Sequence, residues 1–175
     1  MNHQDHVRLI EKGIGGGSVW ADIGSGTGAF TKALLDVLDD NAEVYSFDSD
    51  KNSLEMQKKE IDSAFPTSHI TYICQDFTSQ LDLPPLDGIL AANAIHFVPD
   101  TVKTLKHVRQ YLKPHGRLLV VEYNTDSGNH WVPYPFSYTT FTTYAKQAGF
   151  TTTQLLDTIP SQFLGEIYAA VAYAS

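Results

Sequence analysis

Three glycines at alternate positions, Gly24, Gly26 and Gly28, follow directly on the apolar run Val19 to Ile23, which only Asp22 interrupts. A helical pattern through Phe30, Ala33, Leu34, Leu35 and Leu38 comes next. Glycines serve where a backbone must turn at positive φ or come close to a ligand. A helix that starts after such a turn presents unpaired N–H groups and partial positive charge. The stretch therefore points to a nucleotide-like ligand. Asp48 stands about 20 residues further on, where a carboxylate can accept from two adjacent ribose hydroxyls. Charge-assisted bonds of that kind are worth roughly 1.5–3 kcal/mol each. Asp76 can accept from an exocyclic amine, with Phe77 packed on the ring, or can form an Asx-turn at a strand exit. Asn93 and His96 complete the polar set.

These positions share one edge only if the elements between them alternate. Residues 2–13 read as a short amphipathic helix, followed by a glycine-rich connection at 13–17. Strands are expected at 18–23, 43–48, 70–74, 87–92 and 117–122. Helices are expected at about 28–39, from the Asp50 cap to Ala64, and from Pro99-Asp100 to Leu112. Lys113-Pro114-His115-Gly116 reads as the turn that closes the last of these. The run Asp87 to Ala92 is continuously apolar, as buried parallel strands are. A helix at 137–148 follows, then strands near 150–158 and 165–173, with Pro160 in the short connection. A mostly parallel, doubly wound α/β sheet closed by an antiparallel hairpin is predicted. Its ligands belong at the carboxyl ends of the strands, at the switch in strand order.

The bulk properties narrow the class. The 175 residues suit one domain, and 42% hydrophobic with 18% charged residues describe an ordinary globular protein. A net charge of −8 argues against an extended nucleic-acid surface. No stretch reaches membrane-span length and no signal peptide opens the chain, so a cytoplasmic setting is expected. Cys74 is alone, and the histidines lack compact ligand spacing, so no disulfide and no metal are expected.

The glycines alone leave two cofactors open, because Gly24, Gly26 and Ala29 also satisfy the dinucleotide fingerprint. A nicotinamide-dependent oxidoreductase is therefore a competing reading. Asp22 before the first glycine favours an ammonium over a diphosphate. Gly28 falls one position early for the dinucleotide pattern, and no second domain is present to hold a hydride acceptor.

With these residues in place, the sequence resembles the class I S-adenosylmethionine-dependent methyltransferases. Asp22-Ile23-Gly24-Ser25-Gly26-Thr27-Gly28 is similar to the family's first motif, Asp48 with Ser49 to its ribose site, and Gln75-Asp76-Phe77 to its adenine motif. Asp87 to Ala92 with Asn93 resembles the fourth motif, and Gly116 to Glu122 the fifth strand. Asp5-His6-Val7 and Asn129 to Pro135 resemble a small set of bacterial methyltransferase-like proteins. The resemblance implies a Rossmann-like seven-stranded sheet of order 3-2-1-4-5-7-6 with the last strand antiparallel. It implies S-adenosylmethionine as donor. Asp22 would hold the methionine amino group, directly or through water. Gly24, Ser25, Gly26 and Gly28 would shape the backbone around the methionine part, with Asn93 beside it. Asp48 would take the ribose, and Asp76 with Phe77 the adenine.

Methyl transfer by in-line displacement draws heavily on positioning, which can be worth about 7–11 kcal/mol. A base is needed only where the acceptor must lose a proton early. His96 is the candidate base, and Glu122 and Tyr123 end the strand where acceptors lie. The alternatives are a histidine that holds a loop and a glutamate in a structural ion pair. The aromatic loop 124–136, with His130, Trp131 and Tyr134, is the candidate acceptor wall, or else a loop packed by its own rings. Asp5, His6 and Arg8 either lie on a simple surface helix, the favoured reading, or form a lid over the donor. Asn93-Ala94-Ile95-His96 departs from the Asn/Asp-Pro-Pro-Tyr/Phe clamp of nucleic-acid N-methylating members, which favours a small-molecule acceptor. A non-catalytic donor-binding partner module is the remaining alternative.

Overall fold

A computed structural model describes residues 1–175. The elements run α1 (His3–Ile14), β1 (Val19–Ile23), α2 (Ala29–Val37), β2 (Glu43–Asp48), α3 (Lys51–Ala64), β3 (His69–Cys74), β4 (Leu86–Ala92), α4 (Thr101–Arg109), β5 (Leu112–Tyr123), α5 (Tyr138–Gln147), β6 (Thr152–Ser161) and β7 (Gly165–Tyr173). A single 3₁₀ turn, Ile95–Phe97, follows β4. The strands form one seven-stranded sheet in the order β3-β2-β1-β4-β5-β7-β6. The pairs among β1 to β5 are parallel, while β7 runs antiparallel to both β5 and β6. This is the expected Rossmann-like order. The strand sequence reverses between β1 and β4, so the turns after those two strands flank the switch point.

Alternation along the strands separates two cores. Ala21, Ile23, Ile89, Ala91, Leu118, Val120, Tyr168 and Ala170 pack with α4 and α5 on one face. Trp20, Val44, Leu90, Leu119, Val121, Ala169 and Val171 pack with α1 and α2 on the other. Asp22 shares the α2 face with Trp20, which brings its carboxylate to Thr31 of α2.

Two boundaries differ from the sequence-based expectation. The helix α4 stops at Arg109, and β5 begins at Leu112, the expected end of the helix, and runs through the expected turn. Leu112 pairs with Leu86 across an irregularity in the β4/β5 register, and Lys113 donates to Asp87, so the segment is recruited to the sheet. The bend that Pro114-His115-Gly116 announces is present, with His115 at φ +61°, but lies within the strand. Pro160 belongs to β6 rather than to the connection. β6 is the sheet's outer strand, where a residue without an N–H is tolerated.

The helix α1 is fixed at its N-terminus and at its middle. Asn2 and Asp5 form a capping box, and Arg8 makes a bidentate pair with Asp157 of β6. Leu9, Ile10 and Ile14 are buried beneath it.

Candidate functional site

A cavity of about 360 Å³ opens at the carboxyl ends of the strands. Its lining comes from the turn after β1 (Gly24), the end of β2 (Asp48, Ser49), the segment after β3 (Asp76, Phe77, Thr78) and the segment after β4 (Asn93, Ala94, Phe97, Val98). That volume lies in the range of small-molecule sites. Six of the expected donor-side residues therefore meet in one place: Gly24, Asp48, Ser49, Asp76, Phe77 and Asn93. Thr78, Ala94, Phe97 and Val98 line it without having carried a sequence signal.

The glycine turn is held from below. Gly24, Gly26 and Gly28 all have positive φ, at 68°, 55° and 87°. A Cβ on Gly24 would stand 2.5 Å from that of Ala94 and 3.5 Å from the Phe77 ring, both of which line the cavity. Its absence keeps the space between them open. Gly26 N–H donates to Asp48 Oδ2 at 2.8 Å, and Asp50 N–H to Asp48 Oδ1 at 2.8 Å. A carboxylate has roughly four acceptor positions, so two remain for a ligand. Ser25 does not line the cavity. It belongs to a buried knot with Ser46 and Gln57, in which Gln57 Nε2 donates to Ser25 Oγ and to Gly26 O, each at 3.0 Å. Ser46 and Gln57 had no motif to announce them; their role emerges only when β2 and α3 meet the turn.

Asp22 also stands behind the turn rather than in the cavity wall. It is 1% exposed and accepts from Thr31 Oγ1 at 2.6 Å. Burial pushes its carboxyl up to about 7, against the opposing effect of the Thr31 bond. Asp76 does both things considered for it. Its Oδ1 accepts from the N–H and Oγ1 of Thr78, each at 2.8 Å, which closes an Asx-turn. Its Oδ2 remains available. Asn93 sits at φ +51°, and its Oδ1 is buried without a hydrogen-bond partner while the residue lines the cavity.

Next to the cavity lies a second, different arrangement. His96, in the 3₁₀ turn after β4, and Glu122, near the end of β5, are 2% and 0% exposed. His96 Nδ1 and Glu122 Oε2 are 2.5 Å apart. Glu122 Oε1 also accepts from the backbone N–H groups of Ile95 and His96, at 3.1 and 3.3 Å. Burying a carboxylate is costly unless hydrogen bonds replace its water, and here three do. The acceptor carboxylate assigns the ring proton to Nδ1, which leaves the Nε2 lone pair free. The imidazole stands between Phe97 (centroid distance 4.3 Å), which lines the cavity, and Tyr123 (6.0 Å). Burial and the Glu122 charge push the Tyr123 hydroxyl's pKa up.

The loop 124–136 is anchored rather than free. Tyr134 N–H donates to His96 O, and Asn129 Oδ1 accepts from Trp131 and Val132 N–H. Val132 and Phe136 are buried, whereas Trp131 and Tyr134 remain exposed. The loop is thus packed by Val132 and Phe136, while two of its rings stay at the surface. No residue of α1 lines the cavity; its apolar face packs on α2, and Arg8 ties it to β6.

The donor set suits an adenosine-containing cation. Carboxylates stand at two strand ends for hydroxyls and an amine, an orphaned amide oxygen is buried in a residue of the wall, and Phe77, Ala94 and Phe97 supply apolar contact. The model of a family described as a methyltransferase domain matches residues 21–120. A hybrid PKS-NRPS synthetase of Aspergillus flavus is 33% identical over 108 residues, 58% of this chain and 3% of the relative. The chain thus spans only a few per cent of the curated relatives it matches. The crystal structure of CurJ carbon methyltransferase superposes with a TM-score of 0.76 at 23% identity, over 91% of this chain and 49% of that one. The N-methyltransferase NodS of Bradyrhizobium japonicum, crystallised with S-adenosyl-L-homocysteine, gives a TM-score of 0.76 at 17% identity, over 98% of this chain and 85% of that one. No helix is long and apolar enough to cross a membrane.

Proposed function

Because the chain belongs to the methyltransferase-domain family, we propose that it methylates a small molecule from S-adenosylmethionine, at a carbon acidified by flanking carbonyl groups. The observation that carries the acceptor class is the buried His96–Glu122 pair beside the cavity. An acceptor amine needs no such base, since it attacks with its own lone pair; a carbon acid must lose a proton to become a nucleophile. A polyketide chain consists of alternating carbonyl and methylene groups, and the curated relatives include polyketide synthases. The carbon methylation named for CurJ supports the same reading. Membership of this family removes the nicotinamide alternative.

When bound, S-adenosylmethionine supplies the electrophilic methyl group of a sulfonium. Asp48 and Ser49 take the ribose hydroxyls, Asp76 Oδ2 the adenine amine and Phe77 the ring face. Asn93 Oδ1 accepts from the methionine ammonium, and Gly24 lets that part lie against the backbone. Asp22 contributes from behind the turn through Thr31. His96 Nε2 removes the proton from the acceptor carbon, and the C–H electron pair stays on that carbon, spread onto the neighbouring carbonyl oxygens. Glu122 holds the imidazole in the correct tautomer and stabilises the imidazolium. Phe97 and Tyr123 keep the imidazole dry. A cytoplasmic setting fits the exposed free thiol of Cys74.

The test is incubation with S-adenosylmethionine and the N-acetylcysteamine thioester of 3-oxobutanoate. Release of S-adenosylhomocysteine together with a C2-methylated product, identified by NMR, is expected. A methyl group on oxygen overturns the carbon assignment. Melting-temperature shifts test the donor separately: S-adenosylhomocysteine at about 100 times its Kd should stabilise by about 2.7 kcal/mol. Stabilisation by NAD instead overturns the donor assignment.

A further inference from the structure

We infer that Phe163, at the tip of the β6–β7 hairpin, and Trp131 form the outer wall of an acceptor track that selects acceptors carrying an extended apolar acyl chain. The inference rests on the acceptor lying at His96. From that imidazole a row of rings leads outward. Tyr123 lies 6.0 Å from His96, Phe163 5.8 Å from Tyr123, and Trp131 6.2 Å from Phe163. Phe97, 4.3 Å from His96, lines the donor cavity. Phe97, Phe163 and Trp131 are 59%, 48% and 68% exposed. Single exposed apolar residues need no explanation, but a connected row leading from a buried base does.

The row is held in place. Asn124, at the root of the loop, donates through its backbone N–H to Glu166 O at 2.8 Å and through Nδ2 to Glu166 Oε1 at 2.7 Å. Phe163 N–H is tied to Ser161 Oγ within the hairpin turn. The Asn129 turn fixes the backbone of Trp131. The two segments are thus cross-linked at their bases, with one ring from each at the tip.

Ring orientation decides the ligand class. Successive planes are inclined by 51°, 60° and 77° from His96 through to Trp131. No two successive faces are parallel, so neighbouring rings form no slot for a flat ring. A chain of methylenes, bending at each bond, can lie against every ring in turn.

Trp131 gives its own readout, since the other tryptophan, Trp20, is fully buried. Alkanoyl-N-acetylcysteamine thioesters from butanoyl to decanoyl, which cannot be enolised between two carbonyls, would be titrated into the protein saturated with S-adenosylhomocysteine. Tryptophan emission should move to shorter wavelength, with affinity rising about threefold for each added methylene. Phe163→Ala should flatten that dependence and weaken decanoyl binding about tenfold; Phe163→Leu should restore most of it. Melting temperature and S-adenosylhomocysteine affinity serve as the folding control. Affinity independent of chain length, or unchanged by Phe163→Ala, overturns the inference. Chain-length dependence without methylation of the 3-oxobutanoyl thioester would leave the track standing and sink the carbon-acid assignment. Methylation of that thioester without chain-length dependence would do the reverse.

Discussion

The ends of β1, β2 and β3 and the ends of β4 and β5 border the same region, yet they position their side chains by different means. On the first side the carboxylates are held by backbone N–H groups, one of them 22 residues away across the β1/β2 pair. Asp48 accepts from Gly26 and Asp50 N–H, and Asp76 from Thr78. On the second side the central bond joins His96 and Glu122, 26 residues apart, through two adjacent parallel strands. The first side presents open carboxylate oxygens to a cavity, whereas the second buries its carboxylate and exposes rings. The difference suits a division of labour. A donor held in one pose needs many fixed polar contacts. An acceptor that must lose a proton needs one oriented base in a dry place.

The sharpest way to break this division is Glu122→Gln. The amide oxygen can still accept the Ile95 and His96 N–H groups. Its amide nitrogen then faces His96 Nδ1 as a donor and turns the imidazole into the wrong tautomer. Turnover should fall about 10²- to 10⁴-fold, with S-adenosylhomocysteine affinity unchanged by isothermal calorimetry. An equal loss of donor affinity would show that the two sides are a single site.

The next effect lies in stability and its pH dependence. Burial holds the Asp22 carboxyl at about 7 in the folded protein, against 3.8 for an ordinary aspartate. Between those values the folded chain keeps a proton that the unfolded chain has released. Stability therefore falls as pH rises from about 4 to about 7, and the loss is complete above that range. Asp22→Asn removes this contribution. The difference in unfolding free energy between wild type and variant, from urea titrations at pH 4.5 and pH 8, should change by as much as about 3–4 kcal/mol in the variant's favour. An unchanged difference would mean that Asp22 stays ionised behind the turn.

The contrast also explains what the sequence disclosed. The strand–turn–helix pattern, Asp48 and Asp76 were readable because each is marked locally, by glycines or by the end of an apolar run. His96 and Glu122 were each recognisable, but their bond was not, since it depends on which strands become neighbours. The start of β5 was missed for a related reason. Pro114-His115-Gly116 is a sound local turn signal, overruled by the pairing of Leu112 with Leu86. Ser46 and Gln57 carry no motif, and neither does Phe163, a ring in a hairpin turn whose neighbours come from elsewhere in the chain. That α1 packs on α2 and β6 was likewise not readable, because an amphipathic helix says that it will be buried, not against what.

The smallest effect concerns the open oxygen of Asp76. In Asp76→Asn the Asx-turn survives, because the amide oxygen can take the place of Oδ1 on Thr78. Only the atom facing the cavity changes, from an acceptor to a donor. Loss of one charge-assisted bond, about 1.5 kcal/mol at the lower end, should weaken S-adenosylhomocysteine binding about tenfold while the melting temperature holds. The same substitution should improve binding of S-inosylhomocysteine, whose ring carries an oxygen where adenine has its amine, because the new N–H can donate to it. Reversal of preference between the two ligands is a stricter criterion than weakened binding, since a distorted cavity would weaken both. If neither ligand's affinity changes, Asp76 serves only its turn, and the adenine is recognised by the apolar wall of Phe77 alone.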